Sequence, residues 1–257
     1  MKAFVFSDLH ASERQLYNFK KYFEAGHDID LLIFAGDLVN MGEPVSFVTK
    51  FNDAISKINL PFFWVPGNND FGRSYFKLNA KYPSLEGKVV EFKKSVISTG
   101  AEKSFSEKIS RQARDDNMIK FSGVGGSPAS WAGQYAGEKM IDKKDITGSI
   151  FVSHTPPPGL LVMNKYDWPN PNIEYRNSKQ IQNSNKKNSK QVSDFGFRAS
   201  GLRLSDSPIV HICGHQHSRW GVGYLGQTKV VNPGPLEWGR YAIVNLENLE
   251  VKFSKFV

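Results

Sequence analysis

With a single cysteine, Cys213, the 257-residue chain cannot form an internal disulfide. That cysteine closes an apolar run just before Gly214, where a buried, inert thiol is the plain reading. No apolar stretch approaches the roughly 18 residues that a membrane span requires, and the chain opens directly on a strand-like segment, so a cytoplasmic protein without a membrane partner is expected. There is no internal repeat. Positive charge is in excess, at +8 with a pI near 9.4, which could indicate nucleic acid. The basic residues are scattered, however, with the densest groups Lys93-Lys94, Lys143-Lys144 and Lys186-Lys187, and they lack interleaved aromatics for base stacking. A solvated basic surface is the simpler account, with nucleic acid kept as a disfavoured partner. Hydrophobic and charged fractions of 40% and 23% are those of an ordinary globular chain, long enough for one large α/β domain over residues 1–257. The 19 phenylalanines are expected to fill a core between layers.

Against these absences stand five short segments that each place metal-binding side chains beside a tight turn: Ser7-Asp8-Leu9-His10, Gly36-Asp37, Gly67-Asn68-Asn69-Asp70, Ser153-His154-Thr155 and Gly214-His215-Gln216-His217. Apolar, β-prone runs precede them at 3–6, 31–34, 62–65, 150–152 and 209–212. Taken singly, each has a bland reading. Asp8-Leu9-His10 could be a turn, Gly36-Asp37 a helix cap, Gly67-Asn68-Asn69-Asp70 an Asx turn, and His154 structural. His215 and His217 are the stronger pair, because alternate residues of an extended segment point the same way. Ligands at the ends of strands in one sheet converge, so the joint occurrence argues for one dinuclear site. His, Asp and Asn without thiolate suit manganese, iron, zinc, nickel or magnesium.

This combination resembles the calcineurin-like metallophosphoesterases, whose pattern is Asp-x-His, Gly-Asp, Gly-Asn-His-Asp/Glu, a lone His and Gly-His-x-His. The resemblance spans nearly the whole chain, since Val230-Val231-Asn232-Pro233-Gly234 and Tyr241-Ala242-Ile243-Val244 look like the family's closing strands. Gly123-Val124-Gly125-Gly126-Ser127, His154-Thr155-Pro156-Pro157-Pro158 and the short length look most like a compact prokaryotic branch. It implies a four-layer αββα sandwich of two packed mixed sheets with the metals at strand ends. It also assigns Asp8, His10 and His217 to one metal and Asn68, His154 and His215 to the other, with Asp37 bridging. Two divalent ions, manganese first, less two carboxylates leave about +2, which suits a phosphate substrate.

Where most such proteins have Gly-Asn-His, this chain has Gly67-Asn68-Asn69. The imidazole that the resemblance implies for leaving-group protonation is absent, and an amide has no proton to give near neutral pH. General acid catalysis is worth about 10²–10⁴-fold, so activity should survive with a bias towards good leaving groups. The expected function is a phosphodiesterase acting on a small molecule through a metal-bridging hydroxide in in-line attack. Asp37 and Asn69 are its catalytic candidates, and Asn68 and Asn69 its phosphate contacts. A phosphomonoesterase, a nuclease and a non-catalytic metal-binding scaffold are the alternatives. Asp70 is expected to cap a helix beginning near Phe71. Arg73, Arg198 and Arg219 stand near motifs, with solvated positions the simpler reading.

The first half alternates strands and helices. Ser12 is a candidate cap before Leu16, Phe19, Tyr22 and Phe23, and Pro44 suits the first turn before Val45, Val48, Phe51, Ile55 and Ile58. That order implies a parallel core. Beyond about Val89 short strands dominate, with helices predicted near 137–144 and 195–204. Residues 164–191 read as a flexible insertion, either a bare surface loop or a lid carrying Tyr166, Trp168 and Tyr175. Gly123 to Ser127 reads as a turn that could otherwise approach phosphate with its amides. His27 and His211, which lack partners at ligand spacing, are expected to be structural. The sequence leaves the oligomeric state open, a homo-oligomer included.

Overall fold

A computed structural model describes residues 1–41, 45–93, 118–126, 146–157, 160 and 207–256. The predicted helices at 137–144 and 195–204, the 164–191 insertion with its three aromatics, Arg198, Ser127, Pro44 and Pro158 lie outside the described residues.

The alternation read in the first half is present as β1 (Lys2–Phe6), α1 (Glu13–Glu24), β2 (Leu31–Phe34), α2 (Val45–Ile58), β3 (Phe62–Trp64) and α3 (Gly72–Lys81). Then come β4 (Lys88–Lys93), β5 (Met118–Val124), β6 (Ile150–Ser153), β7 (Val210–Ile212), β8 (Gly221–Leu225), β9 (Thr228–Asn232), a 3-10 turn (Leu236–Trp238), β10 (Arg240–Asn245) and β11 (Val251–Lys255). The strands form a five-stranded sheet, β11-β10-β1-β2-β3, and a six-stranded sheet, β4-β5-β6-β7-β9-β8. Both are mixed. β1, β2 and β3 are parallel, as are β5, β6, β7 and β9, while β10, β11, β4 and β8 join antiparallel.

Side-chain alternation explains the layering. In β1, Phe4 and Phe6 turn to the helices while Ala3 and Val5 turn to the second sheet, and β2 repeats this with Leu32 and Phe34 against Leu31 and Ile33. Helical spacing delivers Leu16 and Phe19 from α1, and Phe47, Val48, Phe51 and Ile55 from α2, to the first of these cores. The second core lies between the sheets, where Phe63 and Phe121 stack at 4.0 Å. Burying each such side chain is worth about 1.5–3 kcal/mol, so both faces of β1 to β3 are anchored and their C-terminal ends are held in fixed positions. The result is an α/β sandwich of two packed mixed sheets, with Phe4, Phe6, Phe19, Phe34, Phe47, Phe51, Phe63 and Phe121 in its cores and Phe76 exposed.

Two local expectations are refined. Ser12 occupies the N-cap position of α1 without a side-chain cap bond. Asp70 does not cap α3, whose N-cap is Phe71. Its carboxylate accepts instead from the backbone N–H groups of Leu38, Val39 and Gly67, at 2.8, 3.3 and 2.9 Å, and so staples the turn after β3 to the turn after β2. Three convergent amides outcompete the helix terminus for one carboxylate. His27 stacks on Tyr22 at 3.7 Å, and buried His211 bonds Ser153 Oγ at 2.6 Å, its pKa pushed down to about 3 by burial. His211 is thus structural, as expected, while His27 is an exposed ring on a neighbouring tyrosine. Cys213 is fully buried and burial raises its thiol well above the usual range, consistent with inertness.

Candidate metal centre

All seven residues predicted as ligands stand beyond the C-terminal ends of parallel strands: Asp8 and His10 after β1, Asp37 after β2, Asn68 after β3, His154 after β6, His215 and His217 after β7. Backbone bonds lace these turns together. Asp8 N–H donates to Gly36 O at 2.8 Å, Leu9 and His10 to Asp37 O at 2.8 and 3.1 Å, and Gly214 to His154 O at 2.8 Å. Four of the seven hold positive φ: Asp8 at 53°, His10 at 47°, Asp37 at 60° and His215 at 65°. Asp and His tolerate that region better than most residues, yet each still costs on the order of 1–3 kcal/mol. The surrounding bonds offset that strain and keep the side chains converged.

The glycines before the ligands are steric requirements. A Cβ on Gly67 would run into the Asp37 carboxylate and backbone nitrogen. On Gly36, already at φ +90°, it would sit 2.5 Å from Gly67 N and 2.8 Å from His154 Nδ1. The turns after β2 and β3 therefore touch backbone to backbone.

The structure brings the predicted ligands into two adjoining sets. In one, His154 Nε2 lies 3.0 Å from Asn68 Oδ1, 3.2 Å from His215 Nδ1 and 3.5 Å from Asp37 Oδ2. In the other, His10 Nε2 and His217 Nε2 are 3.2 Å apart, with Asp8 Oδ1 at 3.9 and 3.3 Å from them and Asp37 Oδ2 at 3.8 Å from His10. Asp37 touches both sets. His154 is fully buried and Asp8 and Asp37 nearly so, and His10 Nδ1 is buried without a partner. Close ring-nitrogen pairs around two buried carboxylates are costly unless positive charge sits between them. The donors therefore fit two divalent cations.

Protonation supports the same assignment. Nδ1 of His154 bonds Ala35 O at 2.7 Å, which fixes its tautomer and leaves Nε2 facing the cluster. Burial works against a charge on His154, but Asp37 and Asp8 overcome it and raise its pKa to about 9. Burial lowers His215 to about 4, helped by the charge on His154. Burial opposes the charged forms of Asp8 and His217 too, yet their mutual hydrogen bond leads in holding Asp8 low and His217 high. Asp37 is held well below the usual carboxylate range, chiefly by His154 against the cost of burial. In cation-free protein the His154 contribution to stability is thus fully present below about 6.5 and lost as pH rises through about 9. A cation must displace the Nε2 proton, so uptake at about pH 7.5 should release a proton from His154, and release should fade above about pH 9. Calorimetry in buffers of differing protonation enthalpy measures it, and cation uptake without proton release would remove His154 from the ligand set.

Asn69 meets Asp37 twice, through its backbone N–H to Oδ1 at 2.8 Å and its amide to Oδ2 at 2.7 Å. Arg73 is exposed on α3, and Arg219 is half-buried with its backbone tied to Gln216 and Asn232. Sequence reasoning missed Asn232, which is buried. Its amide donates to Gly214, Gln216 and Arg219 carbonyls at 3.5, 3.1 and 3.3 Å while its Oδ1 accepts from Gly234 N–H at 2.9 Å, thereby shaping the loop that carries His215 and His217. The Asn-Pro-Gly turn was the available signal. Trp238 was also missed: its ring lies edge to face on His217, with centroids 5.6 Å apart.

A family model described as calcineurin-like phosphoesterase matches residues 1–219, and another, described as metallophosphoesterase of the calcineurin superfamily, matches 196–256. The chain is 24% identical over 220 residues to MJ1162 of Methanocaldococcus jannaschii, itself uncharacterized, covering 82% of this chain and 80% of that protein. The fold is similar to the crystal structure of TT1561 of Thermus thermophilus, at TM-score 0.58 and 15% identity, covering 100% of this chain and 99% of that one. A second crystal structure matches at TM-score 0.58, 18% identity and the same coverage. Among the described residues no helix is long and apolar enough to cross a membrane.

Proposed function

The chain belongs to the calcineurin-like phosphoesterase family, and from that premise we propose that it hydrolyses phosphodiesters of a small molecule with two divalent cations held by Asp8, His10, Asp37, Asn68, His154, His215 and His217. Family membership supports metal-dependent phosphoester hydrolysis, and the observation that carries the site assignment is the pair of ligand sets sharing Asp37, 3.5 Å from His154 and 3.8 Å from His10. Bound cations would supply Lewis acidity, an acidified water as nucleophile and a clamp on phosphate oxygens. The protein's part is preorganisation. Asp37 is oriented by both Asn69 bonds, His154 by Ala35, and Asp8 by the His215 N–H at 3.0 Å. Asn69, whose amide donates to Asp37 Oδ2, is assigned as a phosphate contact.

Asn69 bears on the leaving group, and the diester preference is tested beside it. A leaving alkoxide must find its proton elsewhere, so esters with acidic leaving groups are favoured. The test is hydrolysis of bis-p-nitrophenyl phosphate and p-nitrophenyl phosphate by chelator-stripped protein resupplied with manganese, nickel, zinc, iron or magnesium. Cation-dependent turnover favouring the diester is expected. Protein that binds two cations and turns over neither ester is a scaffold instead. In the same assay Asn69→His should raise the rate for alkyl leaving groups by up to about 10²-fold more than for aryl ones, and an equal change in both would remove the leaving-group argument.

A further inference from the structure

We propose that Trp238 is a stacking platform for the organic group of the ester, so that the preferred substrate carries an uncharged aromatic or heteroaromatic ring next to its phosphate. The inference rests on the phosphoester reading above and deepens it. A single exposed hydrophobic residue means little by itself; the mounting and position of this one are what matter. Trp238 is 47% exposed, although Leu236 and Gly239 of the same turn are buried. Its turn is bonded to the ligand loop after β1, with Leu236 N–H on Ser7 O at 2.8 Å and Glu237 N–H on Asp8 O at 3.0 Å. Gly239, at φ 82°, closes the turn through its N–H to Leu236 O at 2.7 Å. The indole is therefore carried by a turn bonded directly to the loop that carries Asp8.

The ring packs edge to face against His217, with an interplanar angle of 85°, which places an aromatic surface at the border of the ligand cluster. A phosphate at the cations would bring its ester group to this border. Glu237, exposed on the same turn, adds negative charge beside His217 and disfavours a second phosphate there. An uncharged ring meets no such repulsion and gains the indole surface.

Calorimetric titration of the cation-loaded protein with phenylphosphonate and methylphosphonate, neither of which is hydrolysed, tests this. Wild type should prefer the phenyl compound by about tenfold, the scale of aromatic stacking. Trp238→Ala should bring the ratio to about one, and Trp238→Phe should retain most of it. A ratio unchanged in Trp238→Ala, or equal affinity of wild type for both compounds, overturns the proposal, as does failure of wild type to bind either. Cation stoichiometry measured on each variant separates loss of stacking from loss of the site. A tryptophan-dependent ratio without ester hydrolysis would keep the platform and reject the hydrolase reading. Hydrolysis without such a ratio would do the reverse.

Discussion

Asp37→Asn is expected to lose bound cation and ester hydrolysis together while the protein stays folded. Asp37 Oδ2 lies 3.5 Å from His154 and 3.8 Å from His10, in closer contact with the pair than Asp8, which also borders both. The amide keeps the shape, and with it an acceptor for the Asn69 N–H that now lies 2.8 Å from Oδ1. Turnover should fall by on the order of 10³-fold or more, since the change removes preorganised charge at the reacting centre. Metal analysis after gel filtration should show substoichiometric cation. Asp37→Ala should do the same and also leave the Asn69 N–H without its acceptor, an added cost of about 1–3 kcal/mol. In chelator, Asp37→Asn should be less stable than wild type at about pH 7, and the gap should close above about pH 9, where His154 of wild type has also lost its proton. Unchanged hydrolysis in Asp37→Asn would mean that the chemistry lies elsewhere.

Gly67→Ala should be nearly as damaging although it adds only a methyl group and touches no ligand atom chemically. The added carbon would overlap both the carboxylate and the backbone nitrogen of Asp37. Neither is the far end of a flexible side chain, so the turns after β2 and β3 must part, which breaks the Asp70 bonds to Leu38 and Val39. Overpacking of this kind costs roughly 1–3 kcal/mol, and cation affinity should fall by about 10²-fold as Asp37 and Asn68 separate. Gly26→Ala is the control. Gly26 has φ +75° and open space around its Cβ position, so it should show only the backbone penalty and no change in cation affinity. Thermal unfolding in chelator and calorimetric cation binding read both effects. Equal behaviour of the two variants would contradict the packing account.

The strands β1, β2, β3, β6 and β7 were legible because each is a short apolar run closed by a turn, and runs such as Leu31 to Phe34 are buried on both faces, whereas β5 was not legible. The convergence of the candidate ligands was legible for the same reason, since a residue after a strand has its place fixed by the strand. Strand order was not. β10 sits beside β1, and β9 between β7 and β8, through pairings of distant segments that leave no local pattern. β4 was also hard to see, because Lys88–Lys93 is an edge strand with most of its side chains in solvent. The destination of Asp70 depended on a turn brought in from 32 positions away, and local propensity favoured the adjacent helix. Trp238 gave no signal because a lone tryptophan after a turn looks the same in the core or at a rim.

The lacing of β1 to the last third of the chain sets a timetable for synthesis. Asp8 receives its amide from His215, 207 positions later, and β1 gains its second neighbour only with β10. A nascent chain that has already exposed Asp8, His10, Asp37 and Asn68 still lacks three of the imidazoles that complete the two sets, and it lacks one side of the sheet beneath them. Ion capture by these side chains would therefore be a late event, following translation of the segment through β10, because closing such distant contacts slows folding. Cells short of the cation would accumulate a finished but unloaded chain rather than a stalled, half-loaded one.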